Sequence, residues 1–451
     1  MRRYVSPSVA SRKSLPALAI IGALVLISLG ITNAQAPLPQ GSLEAYVRSN
    51  SRMGTKLFRE VYTADPDRNA VCAPYGIFPL FAFLRGVVDR DVRSELNQVF
   101  EWTWDLRLGE PHELMMARFV IPPPPLTESE MKRAADEGYR KEIAVLGKEQ
   151  VELIYGDKES FFKKFVQRAE SGREEYWLSN AFLYHHPAVA DILSDWPSGR
   201  AKAPYGLEFK EIRDVEEWKA AVFDIPEAQA LWDDPLAFVL TSVLHLGTTW
   251  DYNTFRRIDP KAGIFYTQSG SPVTVSMLVS EYNDYPYAKT ERFEAVVLPA
   301  NNADLIVIMP SAENSLSSLV EAFAQDPDLL RPRLERRIGD VELPEFHFAR
   351  EYNLRPHLED LGLAGVFQER ARLFGVDGSR LLGVRQNLTL TVDRRGIFAD
   401  AKTAMAGVLG GMLVTEEAFH MKVDRPFLFQ IRDNVTGVLL FMGAVTDPSQ
   451  H

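Results

Sequence analysis

The order in which this chain sets out its apolar residues constrains its fold most: helical spacing comes early and strand-like runs come late. Ser42 to Thr63 places Leu43, Tyr46, Leu57, Phe58 and Val61 at helical spacing and predicts an opening amphipathic helix that ends near Asp65-Pro66-Asp67. Gly76 to Val88 carries Phe78, Leu80, Phe81, Phe83 and Leu84, an apolar density that predicts a helix buried under a sheet. From Tyr176 onward the texture changes. Phe238–Leu246, Val273–Val279, Phe293–Pro299 and Leu305–Pro310 are short apolar runs bounded by turn residues, as strands of extended sheets are. Gly339–Phe348, Leu388–Val392, Phe427–Ile431 and Val438–Val445 have strand period and composition. Among them lies one helix, Leu354–Leu361, closed by Gly362 at a C-cap position. No repeat of fixed period is visible, and this segregation predicts an α+β fold, not a doubly wound parallel sheet. Ile121-Pro122-Pro123-Pro124-Pro125 cannot continue a helix or a central strand, so the charged stretch up to Gln150 reads as a surface excursion.

Packing alone has to hold such a fold. Cys72 is the one cysteine in 451 residues, which excludes an intrachain disulfide and any zinc site built on several cysteines. The 46% of hydrophobic residues suffice for a large core. A net charge of −11 offers no basic stripe for a polyphosphate, so nucleic acid is not an expected partner. At the start, Arg2, Arg3, Arg12 and Lys13 precede an apolar run from Leu15 to Thr32 and the small-residue pattern Ala34-Gln35-Ala36. That order reads as an export signal or, since the run nears bilayer-spanning length, a retained membrane anchor. Residues 1–36 are assigned to it, 37–41 to a linker and 42–448 to one domain. The expected location is secreted, extracellular or periplasmic, with anchorage by the N-terminal segment as the alternative.

Catalytic constellations are missing. No Gly-x-Ser-x-Gly elbow occurs, and Cys72 has no evident histidine partner and reads as a packed core thiol. His112-Glu113 opens a zinc-protease-like string, but Met116 stands where the second histidine belongs. His185 and His186, adjacent on a strand, would point to opposite faces. No metal site, no cofactor and no enzyme activity are expected.

Near the C-terminus, Asp424-Arg425-Pro426-Phe427-Leu428-Phe429-Gln430-Ile431-Arg432-Asp433-Asn434 leads through Thr436-Gly437 to Leu440-Phe441-Met442-Gly443-Ala444-Val445 and Asp447-Pro448. This closely resembles the serpin signature. Upstream, Val341-Glu342-Leu343-Pro344-Glu345-Phe346, Tyr352-Asn353-Leu354 and Leu361-Gly362-Leu363 follow in the family's order. Asn69 to Phe100 looks like its early helix pair and Leu240 to Trp250 like its central strand. The resemblance covers residue 42 to the end and is read as that of a prokaryotic-type member. It implies a metastable fold of three β-sheets and about nine helices that presents an exposed loop as bait for a protease. In inhibitory members, cleavage lets the loop insert as an extra strand of the largest sheet.

By that resemblance, a hinge at Arg394, Arg395 and Gly396 opens a loop running to about Val423, with Gly396 matching the family's hinge glycine. An inserted strand alternates, so Ile397, Ala399, Ala401, Thr403 and Met405 would face the core while Phe398, Asp400 and Lys402 face out. The family's spacing places the bait at Gly410 with Gly411 after the cut, and a small register change would select Leu409 or Met412. Gly407, Gly410 and Gly411 also read as a flexible surface loop. Two hinge residues depart from inhibitory members: Arg394 stands where an acidic residue is usual and Ile397 where threonine or serine is. The polar cluster under the opening sheet, with Trp250 near it, is altered as well. Ala73 and Gly76 replace serines, Ser242 replaces asparagine and Gln386 replaces histidine. The expected function is suicide inhibition of a serine protease, elastase-like or subtilisin-like, by a monomer. The alternative is a non-inhibitory scaffold, carrier or chaperone.

Overall fold

The computed structural model describes residues 40–103, 108–118, 148, 157–160, 175–184, 207–215, 217, 236–251, 254–255, 259–398 and 418–450. Among them are six α-helices: α1 (Gln40–Ala64), α2 (Pro74–Val87), α3 (Arg90–Val99), α4 (Gly109–Arg118), α5 (Leu316–Gln325) and α6 (Arg355–Asp360). Fifteen strands accompany them: β1 (Ala70–Cys72), β2 (Glu175–Tyr184), β3 (Leu207–Glu211), β4 (Ala237–Thr249), β5 (Lys261–Tyr266), β6 (Pro272–Lys289), β7 (Phe293–Pro299), β8 (Ala303–Pro310), β9 (Glu335–Pro344), β10 (Phe346–Asn353), β11 (Arg380–Asp393), β12 (Gly396–Phe398), β13 (Phe419–Lys422), β14 (Phe427–Asp433) and β15 (Leu439–Val445).

Local chemistry explains the helix ends. Pro74 opens α2, where a missing N–H costs nothing, and Asp89 and Ser315 cap α3 and α5 by accepting from the backbone N–H of Asp91 and Ser318. After α6 the chain turns at Gly362, whose φ of +98° lies in the left-handed region. Almost all of α2 is buried, as its apolar density requires, and its Phe78 and Phe81 pack on Phe100 beyond the end of α3. Cys72 is fully buried on β1, and burial pushes its thiol pKa up.

The fold is α+β, as the segregation of helices and strands predicts. A six-stranded sheet runs β10-β11-β12-β4-β2-β3, and a nine-stranded one runs β1-β15-β14-β8-β7-β6-β9-β13, with β5 on β6. Of the three sheets expected, two are continuous through β6 and β9 and so make up the nine-stranded sheet. The 18-residue β6 pairs with β9 on both sides of a bulge between Ser280 and Asn283, where Tyr282 adopts φ +51°. One half of β6 serves β5 and the other serves β7. The bulge gives one ladder two directions, so two sheets share strands. The single strand expected from Gly339 to Phe348 is likewise two. Pro344 lacks a donor, Glu345 N donates to Ser276 O at 2.8 Å, and the chain then crosses into the other sheet. One contiguous apolar core joins the two sheets and the helices.

Candidate functional site: the opening in the six-stranded sheet

β4 and β11 are the two strands that matter. They pair in parallel from Arg380↔Ala237 to Asn387↔Val243. Beyond Asn387 that ladder stops, and β12 enters between them, antiparallel to both: Ile397 lies opposite Thr248 on β4 and Val392 on β11. The sheet is closed at one end and wedged open at the other. Gly396 to Phe398 are thus already strand, where the resemblance predicted the start of an exposed loop. At the far end the loop is shorter than expected too, since β13 begins at Phe419 and pairs in parallel with β9.

Sterics select the glycine at the entrance. A Cβ on Gly396 would lie 2.0 Å from the carbonyl oxygen of Thr248, a backbone atom that cannot step aside. Ile397 follows and is fully buried. The turn before it is held by charge and hydrogen bonds. Arg395 pairs with Asp393, donating from Nε to Oδ2 at 2.8 Å; Arg394 Nη1 pairs with Asp259 at 2.5 Å, and Arg394 N donates to Glu345 Oε1 at 3.2 Å. Trp250 closes the top. Fully buried against Phe255, it donates its indole N–H to Asp393 O at 2.7 Å and its backbone N–H to Arg395 O. The adjoining end of β4 is tied to the β7–β8 turn by Asn301 N to Thr249 O at 3.0 Å and by a Trp250↔Ala300 bridge.

Where the β4–β11 ladder approaches its end, Gln386 lies opposite Ser242, and Ser242 lies opposite Asn180 on β2. All three are buried. Gln386 grips the entrance to α2 with both ends of its amide: Ala73 N donates to Oε1 at 2.9 Å, and Nε2 donates to Ala73 O at 2.8 Å. Gly76 belongs to the same spot, since a Cβ there would meet Ser242 Oγ at 2.7 Å. Ser242 Oγ and both polar atoms of the Asn180 amide have no hydrogen-bond partner among the described residues. Buried polar atoms left in that state cost stability, and a newly arriving strand could use them.

The structure therefore brings Ala73, Gly76, Ser242 and Gln386 into one cluster and Trp250, Arg394, Arg395, Gly396 and Ile397 into another. Ala399, Ala401, Thr403, Leu409, Gly410 and Gly411 lie outside the described residues, as do His185, His186, the export segment and nearly all of the proline-bounded excursion. Asn180 was missed by sequence reasoning. It follows Ser179 in a strand that is otherwise mostly apolar, and only the long-range β2–β4 register gives it meaning.

A family model described as "Serpin (serine protease inhibitor)" matches residues 227–448. Plasminogen activator inhibitor 1 of Sus scrofa is 23% identical over 449 residues, spanning 96% of this chain and all of that protein. The chain belongs to the serpin family. Serpin-ZX of Arabidopsis thaliana is 26% identical over 296 residues, covering 60% of this serpin and 74% of that protein. Among solved structures, native protease nexin-1 with heparin superposes with a TM-score of 0.63 at 17% identity, over 90% of this chain and all of the other, which shows the fold. The matching curated relatives include mammalian and plant proteins, so the narrower expectation of a prokaryotic-type serpin gains no support. At the level of the family, the chain is related to protease inhibitors and not to enzymes.

Proposed function

We propose that this serpin inhibits a serine protease as a suicide substrate, its cleaved loop inserting between β4 and β11. The observation that carries the reading is the register of β12. It lies antiparallel to both neighbours, with Gly396 opposite Thr249 and Asp393, and each further residue would step one place along both strands. Continued in that register, Thr403 would arrive between Ser242 and Gln386, which are themselves paired now. Both ladders agree without a shift or bulge, as a strand built to slide in requires. Ile397 already faces the core, so by alternation Ala399, Ala401, Thr403 and Met405 would follow it there with no charge to bury. Asp400 and Lys402 would face solvent.

In this reading the bait is the bond between Gly410 and Gly411, and a protease that tolerates small residues, or an elastase- or subtilisin-like one reading Leu409, is the target. The protein acts as a monomer in a secreted or periplasmic setting, consistent with the apolar leader. The acyl-enzyme ester formed on Gly410 is the trapped species, so insertion has to outrun its hydrolysis.

One observation favours the scaffold reading instead. Arg394, where inhibitory serpins are acidic, pairs with Asp259, and Arg395 pairs with Asp393, which pins the turn that must swing as the loop enters. Slow entry would give a substrate, not an inhibitor. Incubation of the full chain with elastase-, subtilisin-, chymotrypsin- and trypsin-like proteases, followed by denaturing gel electrophoresis and mass spectrometry, decides between them. A stable complex at the summed mass plus a fragment beginning at Gly411 is expected. Cleavage without a complex and without a gain in thermal stability would establish the scaffold.

A further inference from the structure

At the closed end of the six-stranded sheet five phenylalanines meet. Phe83 comes from α2, Phe182 from β2, Phe209 from β3 and Phe238 from β4, and the rings of Phe182 and Phe238 lie edge to face with 4.7 Å between centroids. Phe374 is the fifth. It stands six residues before β11, yet its ring lies 6.2 Å from Phe83, 5.8 Å from Phe182, 6.3 Å from Phe209 and 6.0 Å from Phe238. The line between β4 and β11 divides this sheet into β10 and β11 on one side and β4, β2 and β3 on the other. By chain Phe374 goes with β11; by contact it goes with β4, β2 and β3. Its ring is a staple across the line along which the sheet would part.

The backbone that carries this ring is held in a costly shape. Phe374 has φ +58° and Arg372 φ +44°, with Gly375 at +78°, so two residues that bear side chains occupy the left-handed region within three positions. Such a turn persists only where its surroundings hold it there. On the side of β11, the Ser379 hydroxyl is shared between Leu373 O at 2.9 Å and Val376 O at 2.6 Å. Asp89 N, at the cap of α3, donates to Ala371 O at 2.9 Å, and Arg372 Nε pairs with Asp377 at 2.6 Å. On the side of β4, the hold is the Phe374 ring itself.

The register of β12 gives the staple its place in insertion. Gly396 lies opposite Thr249, and Phe238 is eleven places further along β4, so Gly407 would arrive there, just short of the proposed cut after Gly410. An added strand moves its two neighbours apart by one more strand spacing, about 4.8 Å. A turn tied to β11 cannot then keep its ring among side chains of β4, β2 and β3. We propose that Phe374 is a releasable staple, a positioning residue that holds the closed end of the sheet shut in the uncut chain and leaves when the cut strand fills the gap. Its departure frees Arg372 and Phe374 from the left-handed region, so released strain favours the last stage of insertion. The assignment rests on the insertion reading of the loop; a plain core position would be packed equally before and after the cut.

Thermal unfolding of the full chain, uncut and cut, separates the two. Thermolysin makes the cut, because a metalloprotease attacks through a metal-bound water and forms no acyl-enzyme to be trapped, and mass spectrometry verifies that the cut lies beside Gly410. Phe374→Ala should lower the Tm of the uncut chain by at least about 3 °C and leave that of the cut chain within about 1 °C of the parent's, so that the gain on cutting grows. Phe374→Leu, which keeps an apolar side chain, should show the same asymmetry at smaller size and serves if the alanine variant does not fold. In uncut Phe374→Ala, amide exchange at Val384 to Asn387 should quicken at least about tenfold while β14 and β15 stay protected; quickening throughout would be general loosening and would count against a staple. The proposal is overturned if the variants lower the Tm of both forms equally or leave the uncut form unchanged. If the parent itself gains no thermal stability on cutting, the insertion reading falls, and the release of the staple falls with it.

Discussion

Gln386 shows how much one side chain can hold. Its amide accepts from the buried N–H of Ala73 at the entrance to α2 and donates to the carbonyl of the same residue, which Gly76 N also reaches. Gln386→Leu keeps the volume, strands the N–H and leaves the carbonyl with one donor fewer. It should lower the free energy of unfolding in denaturant by about 1–3 kcal/mol, the cost of a buried group without its partner. Buried His112 makes a second prediction. Its Nδ1 lies 2.5 Å from the Tyr46 hydroxyl, and burial pushes the imidazole from 6.5 down to about 3. The folded chain therefore binds fewer protons here than the unfolded chain at any pH below 6.5. Stability from this site is flat above that value and falls as the pH drops toward 3, by about 2 kcal/mol on reaching about pH 5. Denaturant curves at neutral and mildly acid pH should show that slope in the parent and lose it in His112→Gln; equal slopes would mean that other groups govern it. Gln386 was legible beforehand only through its resemblance to a family position, and His112 only as half of a void zinc motif. What each does depends on contacts with α1 and α2 that no local pattern encodes.

At the scale of elements, β12 is the decisive piece and one of the smallest. Three residues hold the sheet open, and Gly396 is the one that fits beneath the Thr248 carbonyl. Gly396→Ala should push β12 out of the sheet without touching the core, so amide exchange at Thr391 to Asp393 and at Thr248 to Thr249 should quicken at least tenfold by hydrogen-exchange mass spectrometry. Unchanged protection there would mean that β12 is held by something other than its fit. Elements with a clean apolar run were legible from sequence: the reading of Phe293–Pro299 matches β7 end to end, and α1 and α2 differ by two residues or fewer at each end. Elements that change allegiance were not. Only the first half of β6 was read as a strand, because past Ser280 it turns polar and aromatic around a bulge. The break between β9 and β10 went unread because each side alternates by itself; the phase slips by one residue at Pro344-Glu345, from Val341 and Leu343 to Phe346 and Phe348, and the separation of the two sheets gives that slip its meaning.

For the whole molecule, the question is whether the stored opening between β4 and β11 is used. The closed end of that sheet is a parallel ladder that includes Gln386 and Ser242, and it must part for a strand to pass. What opposes parting is the loss of those ladder bonds. What favours it is two full sets of antiparallel bonds, together with a hydroxyl from Thr403 delivered to the unpartnered Ser242 and Asn180. Under the proposed insertion in this register, Thr403 would be the residue at which loop and sheet meet. Thr403→Arg would bring a guanidinium to a buried point where Gln386 and Ser242 offer no countercharge, and the strand should stall before it reaches that pair. The loop itself would be cut as before, because the change lies well upstream of Gly410. Mixed with a protease that the parent traps, the variant should give cleavage at an unchanged rate and a yield of covalent complex at least tenfold lower, read on the same denaturing gel. An unaltered yield would show that insertion stops short of the Ser242–Gln386 pair, and would leave β12 as a fixed plug in the sheet instead of the leading edge of a moving strand.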